Sequence, residues 1–381
     1  MKLFDTRSRD IRELIAGHTV RIYVCGITPY DATHLGHAVT YTAVDVLIQA
    51  LERRGHRVRH VRNVTDVDDD ILRTARERGV DYLELAAAET ARFDQDMLAL
   101  GCRPPDVAPR ATESVEAIVT AVRGLLARDM AYVLDDGRVY FDVARAPSFG
   151  ALSGLDRDEM LRQFAEKGGD PDAAGKRDEL DFLLWQPAAS GEPAWPSPWG
   201  AGRPGWHIEC SVMAMEHLGP VIDLHGGGND LVFPHHEAEI QQSEHLTQQR
   251  PFARIWLHTG MVGLDGEKMS KSLGNLVFVR DLLDRFEGPV VRTYLLSHHY
   301  RTTWSHQDDE LQQSCDRHKR WHAAAAIGGR DEKVEAACWE ALDDDLDTPR
   351  VLELMDGLAA SGHGMSLRTV AAVLGIDLTH P

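Results

Sequence analysis

The sequence predicts an α/β protein whose doubly wound parallel sheet is interrupted by an insertion and followed by a helical C-terminal domain. Apolar runs typical of strands and of helices alternate from residue 20 to about residue 100, an order that favours parallel strands joined by crossover helices. The alternation stops after residue 104 and resumes near residue 203. From Leu311 onward the apolar residues follow helical spacing.

The first half of the sheet contains two predicted strands, Arg21–Cys25 and Val58–Asn63. Each is followed by a predicted helix, Ala38–Leu51 and Ile71–Arg78 respectively, as parallel strands require. Doubly wound sheets bind ligands beyond the carboxyl ends of their strands. Functional residues are therefore expected just after these two strands.

The insertion covers residues 105–202 and is predicted to begin with a helix at Ser114–Arg128. A hairpin is predicted at Ala131–Asp142. A polar stretch rich in glycine and proline follows, from Ser148 to Gly205.

The sheet is predicted to resume with strands at Ile222–His225 and Ile255–Met261, and Asp343–Pro349 is predicted to be helical. These elements divide the chain into five predicted regions. They are the first half of the sheet domain (1–104), the insertion (105–202), the second half of the sheet domain (203–262), a lysine-bearing linking region (263–305) and the C-terminal helical domain (306–381).

The turn after the first strand leads into the motif H-L-G-H, in which His34 and His37 are three residues apart. Gly26, Pro29 and Asp31 favour a turn before it, so both histidines are expected on one face of the next helix's first turn. A helix N-terminus attracts phosphate, and imidazoles there can donate to phosphate oxygens as charge develops. The motif thus suits a triphosphate, although two such histidines alone are more often a cap or a surface pair.

A second motif, G-E-K-M-S-K-S, begins at Gly266 and carries Lys268 and Lys271. Two ammonium groups beside a leaving pyrophosphate would neutralise its charge, and Gly266 and Gly274 would let the loop close over ATP. Alone, a loop of lysine and serine is usually just solvated. The two motifs together, in this order, make unrelated surface features far less plausible and favour a site for a nucleoside triphosphate.

A possible metal site consists of Cys25, Cys210, His235 and Glu239. With Pro234 at the first helical position, His235 and Glu239 are expected one turn apart on one face. Two thiolates, an imidazole and a carboxylate suit zinc. On spacing alone, two buried cysteines beside a polar helix start remain the better explanation, because the cysteines are far apart in the chain and no C-x-x-C pair is present.

These motifs resemble those of class I aminoacyl-tRNA synthetases, and over nearly its whole length the chain is similar to the cysteinyl-tRNA synthetase family. The matching segments are C-G at Cys25, H-L-G-H, N-V-T-D-V-D-D, R-P-G-W-H-I-E-C-S, H-G-G-G-N-D-L-V-F-P-H-H-E and G-E-K-M-S-K-S-L-G-N. The resemblance implies a class I synthetase-type Rossmann domain. It also implies His34, His37, Lys268 and Lys271 as catalytic residues and ATP, with Mg²⁺, as the substrate that activates a carboxylate as an acyl-adenylate.

The same resemblance implies a zinc ion held by Cys25, Cys210, His235 and Glu239. In this family zinc takes the thiolate of the substrate cysteine as a further ligand, which distinguishes cysteine from the harder hydroxyl of serine. It further implies a pocket for cysteine and the adenylate. That pocket would be lined by Cys25, Gly26, Ile27, Thr28, Thr40, Asn63, Val64, Thr65, Trp206, Gly228, Asn229, Asp230 and Val262.

Two members of this pocket carry ordinary alternatives. Gly226–Asp230 could bring backbone close to the nucleotide, with Asp230 on the ribose hydroxyls, or could be a tight turn. Trp206 could pack beside the bound substrate or could be a core tryptophan.

Within the family the chain most resembles the short ligases of mycothiol biosynthesis, which join cysteine to the amine of glucosaminyl-inositol. The turn C-G-I-T-P-Y-D and the stretch E-K-G-G-D-P at Glu166–Pro171, close to the E-R-G-G-D-P of that branch, favour this assignment, as does the end of the chain at Pro381. An acidic residue at Glu239 is instead typical of the tRNA synthetases. A short cysteinyl-tRNA synthetase, a ligase with another amine acceptor and a non-catalytic paralogue stay open. The intact histidines and lysines argue against the last.

The charge balance disfavours a nucleic-acid partner. There are 41 basic and 60 acidic residues, a net charge of −19, and residues 306–381 hold seven basic and fifteen acidic side chains. No apolar run is long enough to span a membrane, and the start does not resemble a signal peptide. Five dispersed cysteines suit a reducing compartment. We expect a cytoplasmic, monomeric enzyme and do not expect tRNA to be its partner.

Overall fold

The computed structural model describes residues 1–264, 266–269 and 275–379, with Glu267 and Lys268 described by their backbone alone. Strands lie at β1 Lys2–Asp5, β2 Asp10–Glu13, β3 Thr19–Ile27, β4 Arg57–Val64, β5 Ala131–Val133, β6 Val139–Phe141, β7 Phe182–Pro187, β8 Gly202–Pro204, β9 Ile222–Gly228, β10 Ala253–Thr259, β11 Val262–Leu264, β12 Glu267–Lys268 and β13 Trp304–His306. Helices lie at α1 Leu35–Arg53, α2 Asp69–Arg78, α3 Tyr82–Ala99, α4 Val115–Leu126, α5 Arg157–Glu166, α6 Trp206–Leu218, α7 Glu237–Thr247, α8 Val279–Leu283, α9 Gly288–Leu296, α10 Asp308–Ala325, α11 Glu332–Asp343, α12 Thr348–Ala360 and α13 Gly364–Val373.

The central sheet is parallel and doubly wound, which confirms the predicted fold class. Its strand order is β10-β9-β3-β4, and every neighbouring pair is parallel. Single bridges from Val61 to Val107 and from Val64 to Arg110 continue the sheet beyond β4. From β3 the chain thus adds β4 on one side, and later adds β9 and then β10 on the other side of β3. The switch point lies between β3 and β9, where such sheets bind ligands.

The strands that flank this switch point are apolar on both faces because helices cover both sides of the sheet. Val20, Ile22, Tyr23 and Val24 of β3 are all buried. On one face α1 contributes an almost continuous buried surface from Leu35 to Leu51. All four predicted strands of the sheet and both of the helices predicted in its first half are present.

One helix of the first half was not predicted. The carboxylate of Asp81 accepts from the N–H groups of Leu83 and Glu84 and so begins α3, whose buried face includes Phe93 and Met97. The N-terminal hairpin formed by β1 and β2 was not predicted either.

The insertion forms its own antiparallel sheet, β5-β6-β7-β8, with a separate apolar core. The predicted helix and hairpin are present as α4 and the β5–β6 pair. The polar stretch Ser148–Gly205, in which no element was predicted, contains α5, β7 and β8. Phe182 and Trp185 of β7 are fully buried in the insertion core, and burial of such residues outweighs the surrounding glycine and proline. The domain boundaries stay a prediction.

Helices α10–α13 share one apolar core with the central sheet. The predicted helix at Asp343–Pro349 is wrong, because α11 ends at Asp343 and α12 begins at Thr348. Asp345 and Leu346 between them have φ of 59° and 54°. The Asp345 carboxylate accepts from the N–H of Phe4 at 2.8 Å and the hydroxyl of Tyr300 at 2.6 Å. Contacts with residues distant in the chain therefore stabilise the non-helical turn between α11 and α12.

Within the residues that the structure describes, no helix combines the length and the apolar character needed to cross a bilayer.

Candidate active site and metal centre

The predicted site residues of β3 and β4 meet at the carboxyl edge of the sheet. The side-chain oxygen of Asn63 accepts from the N–H of Gly26 at 2.8 Å, and its amide group donates to Thr65 Oγ1 at 3.1 Å. Ile27 and Val64 end the two strands and are paired in register, and Thr28 follows half-buried. A Cβ at Gly26 would lie 1.6 Å from the Asn63 carbonyl oxygen. Only glycine lets the two strands approach this closely.

The two motif histidines lie at the start of α1, as predicted. His34 is the N-cap, and its Nδ1 accepts from the N–H of Gly36 at 3.1 Å. The rings of His34 and His37 stack with centroids 3.8 Å apart, which confirms that they share one face. The first turn carries no acidic side chain, and the helix is 19 residues long, so its N-terminal end is positively polarised. Thr40, one turn on, bonds to Thr259 Oγ1 at the end of β10 at 2.7 Å.

The segment that follows the lysine motif is hydrogen-bonded to the histidine motif. The N–H of Leu35 donates to the Val277 carbonyl at 3.0 Å, and the N–H of Val279 donates to the Thr33 carbonyl at 2.8 Å. On its N-terminal side, the lysine motif includes β12. This strand pairs with Gly263 and Leu264 of β11, the two residues after Val262. The described segment that follows the lysine motif thus lies beside the histidine motif. Lys271 and Gly274 lie outside the described residues, and the side chain of Lys268 is not described.

The predicted metal ligands converge from four elements that are distant in the chain. The donor atoms of Cys25, Cys210, His235 and Glu239 all lie within 4.8 Å of one another, and all four residues are buried. Glu239 Oε1 is 3.4 Å from Cys25 Sγ and 3.3 Å from His235 Nε2. The prediction of a helical start at Pro234 is confirmed, because Phe233 is extended and the backbone is helical after it. His235 lies in the π-helical turn Val232–His236, which continues directly into α7 at Glu237.

A second donor set overlaps the first and was not predicted. His225 and His236 form it together with Cys25 and Glu239. His225 Nε2 is 3.0 Å from Glu239 Oε2, and His236 Nε2 is 3.3 Å from Cys25 Sγ. The doubled histidine of F-P-H-H-E and the histidine that precedes the three glycines are the sequence signals. Neither signal shows which imidazole faces the site.

Outer hydrogen bonds hold the histidines of this cluster. His207 Nδ1 is 2.9 Å from His235 Nδ1, which leaves His235 Nε2 turned toward Glu239. His236 Nδ1 is 2.7 Å from His258 Nε2, and His258 Nδ1 is 2.7 Å from Thr6 Oγ1. Such partners fix the orientation of metal-binding imidazoles.

Burial favours the neutral forms of Cys25, His235 and Glu239. It raises the pKa of Cys25 and of Glu239 well above their ordinary values, and in Cys25 the hydrogen bond to Cys210 acts in the same direction. Burial, with neighbouring histidines, also lowers the pKa of His235 well below its ordinary value. A neutral imidazole is the metal-binding form, and a bound cation would release protons from the thiol and the carboxyl group. Sulfur, nitrogen and oxygen donors at this spacing fit zinc.

Trp206 and the end of β9 complete the predicted pocket. The Trp206 ring lies 4.2 Å from the His235 ring, centroid to centroid, and is half-buried rather than a core side chain. Asn229 and Asp230 follow β9 and are exposed. A Cβ at Gly228 would lie 2.4 Å from Asp230 Oδ1, so the carboxylate folds back over the strand end.

The family model for the catalytic domain of class I (C) tRNA synthetases matches residues 11–316. The chain belongs to this family. Among its relatives are proteins named L-cysteine:1D-myo-inositol 2-amino-2-deoxy-alpha-D-glucopyranoside ligase. That of Gordonia bronchialis is 49% identical over 99% of this chain and 95% of its own length, and that of Mycolicibacterium smegmatis is 45% identical over 99% and 96%. The predicted resemblance to the ligase branch of the family is thereby confirmed.

Solved structures of class I synthetases share the fold. Mycobacterium tuberculosis methionyl-tRNA synthetase bound by methionyl-adenylate is 15% identical, with a TM-score of 0.65, and the match covers 94% of this chain and 88% of that one. A putative arginyl-tRNA synthetase from Campylobacter jejuni is 12% identical, with a TM-score of 0.56 and coverage of 94% and 91%. At these identities the likeness concerns the fold alone.

Proposed function

We propose that this protein is an ATP-dependent ligase that activates L-cysteine as cysteinyl-adenylate and transfers the cysteinyl group to the amine of glucosaminyl-inositol, releasing AMP. The observation that carries the proposal is the position of the buried donor set, which includes Cys25 of β3 and so borders the nucleotide edge of the sheet. A sulfur-selective site therefore adjoins an ATP site. Relatives up to 49% identical are named for this reaction, which supports the same assignment.

In the first step a carboxylate oxygen of cysteine attacks the α-phosphorus of ATP, and the bond to pyrophosphate breaks. His34 and His37, at the N-terminus of α1, would donate to phosphate oxygens as negative charge develops on them. Lys268 and Lys271 would neutralise the charge on the leaving pyrophosphate, together with Mg²⁺. Asp230 would hold the ribose hydroxyls. Catalysis here is mainly electrostatic.

Cys25, Cys210, His235 and Glu239 would hold the zinc ion. When bound, zinc supplies a soft site that prefers the thiolate sulfur of cysteine to the hydroxyl oxygen of serine. The chain's own residues orient this site, because His207 and His225 hold His235 and Glu239 by hydrogen bonds. Trp206 would cover the cysteine side chain from the adjoining face and exclude water.

In the second step the neutral amine of the acceptor attacks the carbonyl carbon of the adenylate. A C–N bond forms, the bond to the AMP phosphate oxygen breaks, and the amine loses a proton. The requirement is mostly positioning plus deprotonation of the sugar ammonium. A net charge of −19 favours a small cationic acceptor over a polyanion.

A second candidate is transfer to tRNA, which Glu239 in the tRNA-synthetase-like sequence F-P-H-H-E-A-E favours. Single turnover of enzyme-bound cysteinyl-adenylate distinguishes the two. We expect glucosaminyl-inositol to consume the adenylate and release AMP, while tRNA leaves it intact. Consumption by tRNA but not by the amino sugar would overturn the ligase assignment, and consumption by neither would direct the search to another amine.

A further inference from the structure

The stretch E-K-G-G-D-P of the insertion forms a tight turn at the end of α5. Lys167 is the C-cap of that helix, and Gly168 after it has φ of 87°, a left-handed conformation that favours glycine. The N–H of Gly169 returns to the Phe164 carbonyl at 2.8 Å. A Cβ at Gly169 would lie 2.5 Å from the buried ring of Phe164. The two glycines therefore fix the point from which the Lys167 side chain leaves the insertion.

From the end of α5 the half-buried side chain of Lys167 extends to the segment between β9 and α7. Its Nζ donates to the carbonyl oxygen of Asp230 at 2.6 Å and to that of Phe233 at 2.5 Å. Gln163, one turn earlier on α5, is 3.4 Å away through Oε1 and steadies the ammonium. The ammonium thus bonds to two backbone carbonyls of another region of the chain.

The bonded turn has an irregular backbone. Asn229–Leu231 is a 3₁₀ turn, and Phe233 within the following π-helical turn has φ of −133° and ψ of 136°, which is not helical. A carbonyl outside the helical hydrogen-bond ladder must find another partner when it is buried. Lys167 donates to the Phe233 carbonyl at this kink.

The two carbonyls lie beside the two halves of the proposed site. Asp230 carries the carboxylate proposed for the ribose, and Phe233 is two residues before His235 of the donor set. We infer that Lys167 is a positioning residue that sets the shape of the Asn229–His235 turn and so couples the insertion to both nucleotide binding and metal binding. This inference rests on the proposed function for the identity of the two ligands.

The insertion offers a matched control. Lys176 likewise donates from Nζ to two backbone carbonyls, those of Asp170 at 2.8 Å and Glu179 at 2.5 Å, but both belong to the insertion itself. Replacing Lys176 by methionine likewise removes two bonds from an ammonium to backbone carbonyls, but without touching the Asn229–His235 turn. Any effect of generally weakening the insertion will appear in this control.

The test measures binding rather than turnover, on the full-length protein carrying Lys167→Met, Lys167→Arg or Lys176→Met. Zinc affinity is obtained by competition with a chelator, and ATP affinity by equilibrium titration. We expect Lys167→Met to weaken both by about tenfold or more, as for outer partners of metal ligands. Lys167→Arg, which keeps the donors, should stay within about threefold of the parent on the same scale. Lys176→Met should match the parent.

Binding of both ligands by Lys167→Met within about twofold of the parent would overturn the inference. So would an equal loss in Lys176→Met. If Lys167→Met does not fold, Lys167→Gln is judged by the same criteria. A parent protein that binds zinc and ATP with the expected dependence on Lys167, but forms no cysteinyl-adenylate, would instead refute the proposed function and leave the role of Lys167 intact.

Discussion

Replacement of Gly228 by alanine should separate nucleotide binding from folding. Gly228 has φ of −69° and ψ of 153°, a conformation open to any residue, so the backbone accepts a side chain without strain. The added Cβ would lie 2.4 Å from Asp230 Oδ1, about 1 Å inside ordinary contact. The atom that must move is the free end of an exposed side chain, so the change should hardly alter stability.

The same movement of the Asp230 carboxylate should weaken ATP binding. If the Asp230 carboxylate accepts from ribose hydroxyls, displacing it removes a hydrogen bond to a charged group, worth about 1.5–3 kcal/mol. That loss corresponds to a rise of roughly 10- to 100-fold in the dissociation constant for ATP. We expect the KM for cysteine and the melting temperature to stay near those of the parent.

The assay is equilibrium binding of ATP, supported by pyrophosphate exchange, on Gly228→Ala, Asp230→Ala and the double variant. The double variant should bind no more weakly than Asp230→Ala, because both changes remove one interaction. Gly17→Ala is the control, since a Cβ there has no atom within 4 Å. Additive losses in the double variant would refute the role assigned to Asp230.

Two further perturbations test the metal site and the response to acid. Cys210→Ser should lose stoichiometric zinc, whereas His236→Gln should keep it with about 10- to 100-fold lower affinity. Metal analysis after gel filtration measures the zinc bound by each variant. Loss of zinc in His236→Gln but not in Cys210→Ser would assign the ion to the set with His225 and His236. Burial lowers the pKa of His60 to about 4 in the folded protein. As pH falls below about 6.5, His60 is therefore protonated in the unfolded chain before it is protonated in the folded one. This difference should lower the free energy of unfolding by about 2 kcal/mol between pH 7 and pH 5. His60→Gln should lack this component in urea unfolding at pH 7 and 5, and an unchanged pH dependence would exclude it.

Local features could be predicted from the sequence because their physics is local. The turn after β3 and the stacked histidines at the start of α1 depend on turn chemistry and on three-residue helical spacing. The parallel order of the sheet follows from alternating strands and helices. The lysine motif was likewise found from sequence, although its central residues lie outside those described.

Local reasoning failed where distant contacts outweigh propensity. Asp343–Pro349 has three consecutive aspartates in a helical context, yet Asp345 is held at positive φ by bonds to Phe4 and Tyr300. Helix α5 and strand β7 lie in a polar, glycine-rich stretch, where burial of Phe164 stabilises the helix and burial of Phe182 and Trp185 stabilises the strand. In each case the deciding partner lies far away in the chain.

The sequence by itself determined the fold class, the two nucleotide motifs and, through resemblance, the family and a zinc ligand set. Only the tertiary structure decided that four ligands from β3, α6, the π-helical turn and α7 meet within 4.8 Å, that His225 and His236 form an overlapping set, and that Lys167 bonds to the Asn229–His235 turn. The physical reason is that spacing along a chain constrains which residues share a face of one element. Which elements converge depends on the packing of the whole sheet and its helices.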